Sequence, residues 1–156
     1  DALGKNTLLI AATNHEELLD KAIWRRFNYK LNIELPDKTT RKKLIKVFIK
    51  DMISLEDKEL DMLAAATKEM SGAEIEEIVN KSIQKSVIYS YTLTLKHIFN
   101  EIFELKLSIE SDNESKEITR EKVKYLRELD EKIFSYSVIG AILNISKTQV
   151  SYIING

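Results

Sequence analysis

The chain has 156 residues, 24 Lys plus Arg against 25 Asp plus Glu, and a formal net charge of −1. That length holds one ordinary domain or two small ones, and 44% hydrophobic with 31% charged residues exclude a disordered tail. The absence of Cys excludes disulfides, zinc–cysteine sites and thiol catalysis, while four Gly and one Pro supply too few turns for an all-β fold. The expected fold class is therefore mainly α. Two His are too few for most histidine metal clusters, so no metal site is expected. No run approaches the ~18 apolar residues of a membrane span, and no signal peptide opens the chain. Cytoplasmic localisation, without a membrane partner, is the corresponding expectation.

In chain order, Thr7 to Ala12 reads TLLIAA, apolar without alternation, as in a strand covered on both faces. Because Asp1 is not an initiator Met and this buried pattern starts within ten residues, the sequence reads as a piece of a longer chain. The strand pattern ends at Thr13-Asn14. Leu18 to Phe27 reads as helix or loop, and Lys30 to Leu35 as a short edge strand. Pro36 then punctuates, and Asp37 suits the cap of a following helix.

Four amphipathic helices are expected next. The first, Thr40 to Met52, places Leu44, Val47, Phe48 and Met52 on one face. The second, Glu56 to Lys68, does the same with Leu60, Leu63, Ala64 and Thr67. The third starts at Ser71 with SGAE, a capping box in which Ser71 and Glu74 satisfy each other's backbone amides. Its stripe is Ile75, Ile78, Val79, Ile83 and Val87. The fourth, Leu95 to Leu107, carries Ile98, Phe99, Ile102, Phe103 and Leu107. Such helices must bury their faces against one another, giving a small bundle over 37–107. Residues 108–118 read as a linker, since SIESDNESKE is polar and aperiodic.

Residues 119–156 form a further periodic unit. Val123, Leu126, Leu129 and Ile133 mark one helix. A short second one is SYSVIGAIL, with Val138, Ile139, Ile142 and Leu143 inward. After the turn NIS, KTQVSYIIN makes a third, with Val150, Ile153 and Ile154 inward. Gly140 permits a close approach, Asn144 tolerates the left-handed conformation, Ile145 plugs the core and Ser146 caps the last helix. No GxxxxGK[ST] phosphate loop occurs in the sequence, and no apolar strand ends in an Asp-Glu pair.

Two of these segments carry family resemblances. LLIAATNHEELLDKAIWRRFNYKLNIELPD, followed by SGAEIEEIV, resembles the second half of an AAA+ ATPase nucleotide domain and its lid, in the classic AAA clade. The shared features are a strand ending in Asn, LDxAIxRRF, a short strand, LPD and the SGAE helix start, across roughly residues 7–107. The implied domains are 1–36, the end of an α/β nucleotide-binding subdomain, and 37–107, a four-helix lid. Asn14 would be sensor 1, a neutral amide that binds the γ-phosphate or orients water. Arg25 and Arg26 would be arginine fingers acting on a neighbouring subunit's nucleotide, the pair undivided between phosphate contact and interface bracing. Gly72 and Ala73 would lie beside adenine and ribose, although an ordinary capped helix explains them equally. No sensor 2 arginine stands near that helix start.

The family resemblance implies ATP and Mg2+ as cofactors of the longer protein and a ring, usually a hexamer, as its assembly. This chain alone, lacking the phosphate loop, is expected neither to bind nor to hydrolyse ATP.

Residues 119–156 resemble a helix-turn-helix domain of the resolvase and sigma-like kind. In that family the third helix enters the major groove, which would make Lys147, Thr148, Gln149, Ser151 and Tyr152 the DNA-facing candidates. Six basic against four acidic residues is a slight excess for a DNA binder, and a three-helix protein-interaction module is the competing interpretation. The partners expected are thus further copies of the chain, with DNA or a protein substrate. The rival function is a non-catalytic regulator that uses an inactive lid as a scaffold.

Overall fold

A computed structural model describes residues 7–108 and 115–156, which divide into two compact units meeting at Glu34/Leu35. In the first unit a 3-10 turn, Glu16–Leu18, precedes one turn of α-helix, α1 (Lys21–Trp24). Asp20 caps α1 by accepting from the Ala22 amide at 2.8 Å. The Lys30 ammonium lies 4.8 Å from the centre of the Trp24 ring.

The strands expected at Thr7–Ala12 and Lys30–Leu35 are not formed. A strand needs a neighbour for its N–H and C=O groups, and no strand of any kind occurs among the described residues. Leu8, Ile10, Leu31 and Ile33 are correspondingly exposed. The mainly α fold class holds for the chain, with nearly all of its helix in the second unit.

The second unit, residues 35–156, contains seven helices among the described residues. They are α2 (Lys38–Ile49), α3 (Asp57–Ala66), α4 (Gly72–Ile88), α5 (Leu95–Leu107), α6 (Lys116–Leu129), α7 (Tyr136–Leu143) and α8 (Lys147–Asn155). Their starts follow from the sequence. Asp37 accepts from the Thr40 amide at 2.7 Å, the Ser71/Glu74 capping box forms, and Glu56/Glu59 and Thr94/His97 form boxes of the same kind. Each cap satisfies amides that the helix itself leaves without acceptors.

The apolar face of α2 is rotated from the expected one. Arg41, Ile45 and Ile49 are buried, with Leu44 and Phe48 packed beside them, whereas Val47 is 64% exposed. Met52 lies beyond the helix, which stops where Lys50 takes a positive φ of 52°. On α4 the expected stripe is buried through Val79 and partly at Ile83, but Val87 is exposed. The faces of α3 and α5 are buried as their spacing indicates.

Helix α2 packs on α3 and α4, and α4 packs on α5. Helices α6, α7 and α8 pack on one another and also against this bundle, α6 on α3 and α5, α7 on α5. Phe134 meets Phe99 edge-on at 6.2 Å and Tyr125 meets Phe103 edge-on at 6.2 Å. The Tyr125 hydroxyl donates to the Ala66 carbonyl at 3.1 Å, and burial pushes its pKa up to about 12. One hydrophobic cluster therefore runs from Ile45 to Val150. Helix α6 begins at Lys116 under a Ser115 cap, and most of the expected linker (109–114) lies outside the described residues.

Between α7 and α8 the chain turns in three residues. Asn144 adopts φ 55°, ψ 42°, and Ser146 caps α8 in a box with Gln149. The approach that Gly140 permits is to the turn backbone: a Cβ there would stand 2.6 Å from the Ile145 carbonyl oxygen. The Ile145 amide donates to the Gly140 carbonyl at 2.9 Å, which holds that contact closed. Gly140→Ala should therefore lower stability by about 1–3 kcal/mol, as overpacking does. A thermal melt unchanged by this substitution would show that the turn shifts freely.

Candidate functional site

The sequence-derived candidates fall into three groups, and each is positioned by local structure. In the first unit Asn14 is exposed directly after the apolar segment 7–12. Arg25 and Arg26 follow α1 as its terminating turn, the Arg26 amide donating to the Ile23 carbonyl at 3.0 Å. Both guanidinium groups face solvent. Phe27 and Trp24 on either side are half-buried, so the apolar flanks anchor a turn that displays the arginines outward.

Gly72 and Ala73 are the first two residues of α4, in the second unit. Ser71 and Glu74 hold that helix start closed: the Glu74 carboxylate accepts from the Ser71 amide at 2.7 Å and from its hydroxyl at 2.8 Å. These two bonds keep the Glu74 pKa below the usual carboxylate range. A Cβ on Gly72 would make only ordinary contact, 3.7 Å from Leu44 Cδ1. The space around Gly72 thus admits a side chain, and its small size serves no close packing within the unit.

Lys147, Thr148 and Gln149 occupy the exposed first turn of α8, and Tyr152 one turn later is 71% exposed. Ser151 is half-buried and accepts from the Asn155 amide at 3.2 Å. Gln149 Oε1 accepts from the Ser146 amide at 2.9 Å. A bidentate pairing of Gln149 with adenine, which uses both ends of its amide, would have to share its Oε1 with the Ser146 amide or release it.

Two charged groups that sequence reasoning missed, Arg41 and Glu101, are buried in the second unit. Arg41 is 8% exposed and donates to two backbone carbonyls, Ala64 at 2.9 Å and Pro36 at 2.7 Å. Its signal was its register, four and eight residues before Ile45 and Ile49 on the inward face of α2. The second group joins α4 to α5. Lys85 Nζ lies 2.7 Å from Glu101 and 2.9 Å from Glu104, with Glu101 only 5% exposed. Burial pushes the Glu101 pKa up, against the attraction of Lys85. No spacing rule links Lys85 to residues 16 and 19 positions away on another helix.

Among the described residues, no group of three His, Asp or Glu side chains is placed to hold a metal ion. No helix among them is long and apolar enough to cross a membrane.

Comparison with known proteins adds relatives. The chain is 30% identical over 135 residues to an ATP-dependent zinc metalloprotease FtsH of Acaryochloris marina, covering 85% of this chain and 19% of that protein. It is 36% identical over 112 residues to a 26S proteasome regulatory subunit homolog of Methanothermobacter thermautotrophicus, covering 69% of this chain and 30% of that protein. An FtsH of Clostridium perfringens is 28% identical over 141 residues, covering 89% of this chain and 18% of that protein. The chain therefore spans less than a third of the length of each of these relatives. No family model matches the sequence, and no solved structure matches it. FtsH proteases and a proteasome regulatory subunit homolog are thus among the homologues of this chain, and they support its AAA+ ATPase resemblance.

Proposed function

We propose that this chain is a segment of an AAA+ ATPase in which ATP hydrolysis turns a helical lid against a nucleotide core within a ring of like subunits. The observation that carries this reading is the match to an ATP-dependent relative across 85% of the chain. In this reading residues 1–36 end the nucleotide-binding subdomain and 37–107 are its lid. The phosphate loop and the magnesium-binding acid belong to the longer protein, since the sequence given contains neither motif.

The exposed donors suit an anionic ligand. Arg25 and Arg26 present two permanent positive charges, and Asn14 presents an uncharged amide that adds no competing negative charge. Bound ATP with Mg2+ would supply the phosphoryl group to be cleaved. The arginines would stabilise negative charge on its outer oxygens across the subunit boundary, and Asn14 would orient water. Gly72 and Ala73, at the N-terminal end of α4, would leave room for the base and sugar beside exposed backbone amides.

In the longer ATPase, Arg26→Ala should lower the turnover rate by roughly 10³-fold or more while nucleotide affinity stays near that of the parent. Unchanged turnover would refute the finger assignment.

A second reading concerns α8, where exposed Lys147, Thr148 and Gln149 sit together on the first turn of a capped helix. With Ser151 and Tyr152 they would face a DNA major groove, and Lys147 is the one base on that helix. Binding of duplex DNA by this chain, weakening steeply with salt, is the expected result of a gel-shift titration. Absence of a shift at low salt would retire DNA as a partner and leave a protein substrate.

A further inference from the structure

Arg41 poses a physical question. A buried guanidinium is costly to desolvate unless its donors are hydrogen-bonded, so where those donors are spent shows what the residue does. Its side-chain bonds to Ala64 and Pro36 both go to backbone carbonyls that regular structure leaves over. Ala64 lies in the last turn of α3, where carbonyls lack intrahelical donors, and Arg41 Nε reaches it at 2.9 Å. Pro36 lies outside α2 altogether, and Arg41 Nη1 reaches its carbonyl at 2.7 Å.

The same residue acts again through its backbone, whose amide donates to the Asp37 carbonyl at 2.9 Å. Asp37 is further held by the Thr40 amide, and this bond with the neighbouring cations keeps its carboxyl below the usual range. Pro36 adds a locked φ of its own. Asp37 is thus fastened by the first bonds of α2 itself, whereas Pro36, just inside the boundary at Glu34/Leu35, is fastened by the Arg41 side chain, which also reaches α3.

We propose that Arg41 is a positioning residue that makes the Pro36–Asp37 peptide, whose carbonyl it holds and whose amide is that of Asp37, part of the rigid helical unit. A turn of that unit is then delivered to the chain at Leu35 and is not absorbed between Pro36 and α2. The consequence for a motor rests on the ATPase reading above; the local anchoring does not. An apolar side chain could fill the volume of Arg41, but it could not hold the Pro36 carbonyl.

Backbone amide relaxation on this chain tests the proposal. In the parent, Asp37 should show an order parameter like that of the α2 interior, ~0.85. In Arg41→Met, Asp37 should fall below ~0.6 while Ile45 and Leu63 keep their parent values. Arg41→Lys, which retains charge but cannot span both carbonyls, should give an intermediate value and covers the case in which the methionine variant fails to fold. An Asp37 amide as ordered in the variants as in the parent would overturn the proposal, and so would a parent Asp37 already as mobile as the variant is expected to be. The measurement needs no nucleotide, so a longer protein without ATPase activity would sink the motor reading and leave this one intact.

Discussion

Phe134→Ala should destabilise the whole of residues 35–156 by about 3–5 kcal/mol, the range for removing a large aromatic from a packed core. Phe134 is fully buried between α6 and α7, and its ring stands edge-on to Phe99 of α5 at 6.2 Å. Its backbone carbonyl also accepts from Arg127 at 3.3 Å, so the residue holds a turn through its main chain as well as a core through its ring. The location makes the result informative. If α6–α8 formed an independent domain, the loss would lower one of two melting transitions. Because Phe134, Phe99, Phe103 and Tyr125 belong to one aromatic cluster, a single transition should shift as a whole. Thermal unfolding followed by circular dichroism and by amide exchange in α2 checks this. An α2 whose protection is untouched by the substitution would restore the separate domain.

Lys85→Met should cost about 3 kcal/mol near neutral pH, and the loss should shrink as the solution is acidified. The substitution strips Glu101 of the ammonium 2.7 Å away and leaves a carboxylate that is 5% exposed. Breaking a buried pair costs ~3–5 kcal/mol, and the lower end applies because Lys85 itself is about a third exposed. The sign of the pH dependence follows from linkage. Burial already holds the Glu101 pKa above the ordinary glutamate value, so the folded state binds that proton more tightly than the unfolded chain does. Its contribution to stability is present below the unfolded pKa and is lost as pH rises through the folded one. Removing Lys85 raises the folded pKa further, and the neighbouring Glu104 acts in the same direction. The variant should thus lose more stability than the parent as pH rises from about 4 toward 7. Adding Glu101→Gln should return most of the loss at neutral pH. Parallel stability–pH curves for parent and variant would disprove the assignment of this carboxylate.

Much of the fold was legible because it is local. Apolar residues three and four apart marked the helices of the second unit, and the expected caps Asp37, Ser71 and Ser146 act by bonds spanning three residues. The left-handed Asn144 and the constricted Gly140 belong to the same class, since a three-residue turn between two apolar runs leaves few alternatives. The resemblance to AAA+ ATPases was legible for a related reason: its motifs are contiguous stretches, and two of the relatives match over 85% and 69% of the chain.

What failed to show is what depends on neighbours. The strands expected at 7–12 and 30–35 read correctly as apolar patterns, but hydrogen bonding between strands requires a sheet that the described residues do not contain. The inward face of α2 includes Arg41 because carbonyls of Ala64 and Pro36 await it there, 23 and 5 residues away. The sequence by itself determined the helices, their caps and the turn before α8, since each is settled within a few residues. Only the tertiary structure decided that α6–α8 share the core of α2–α5, that Arg41 and Glu101 are buried, and which carbonyl or ammonium compensates each, because burial and pairing between distant segments exist only once the chain has packed.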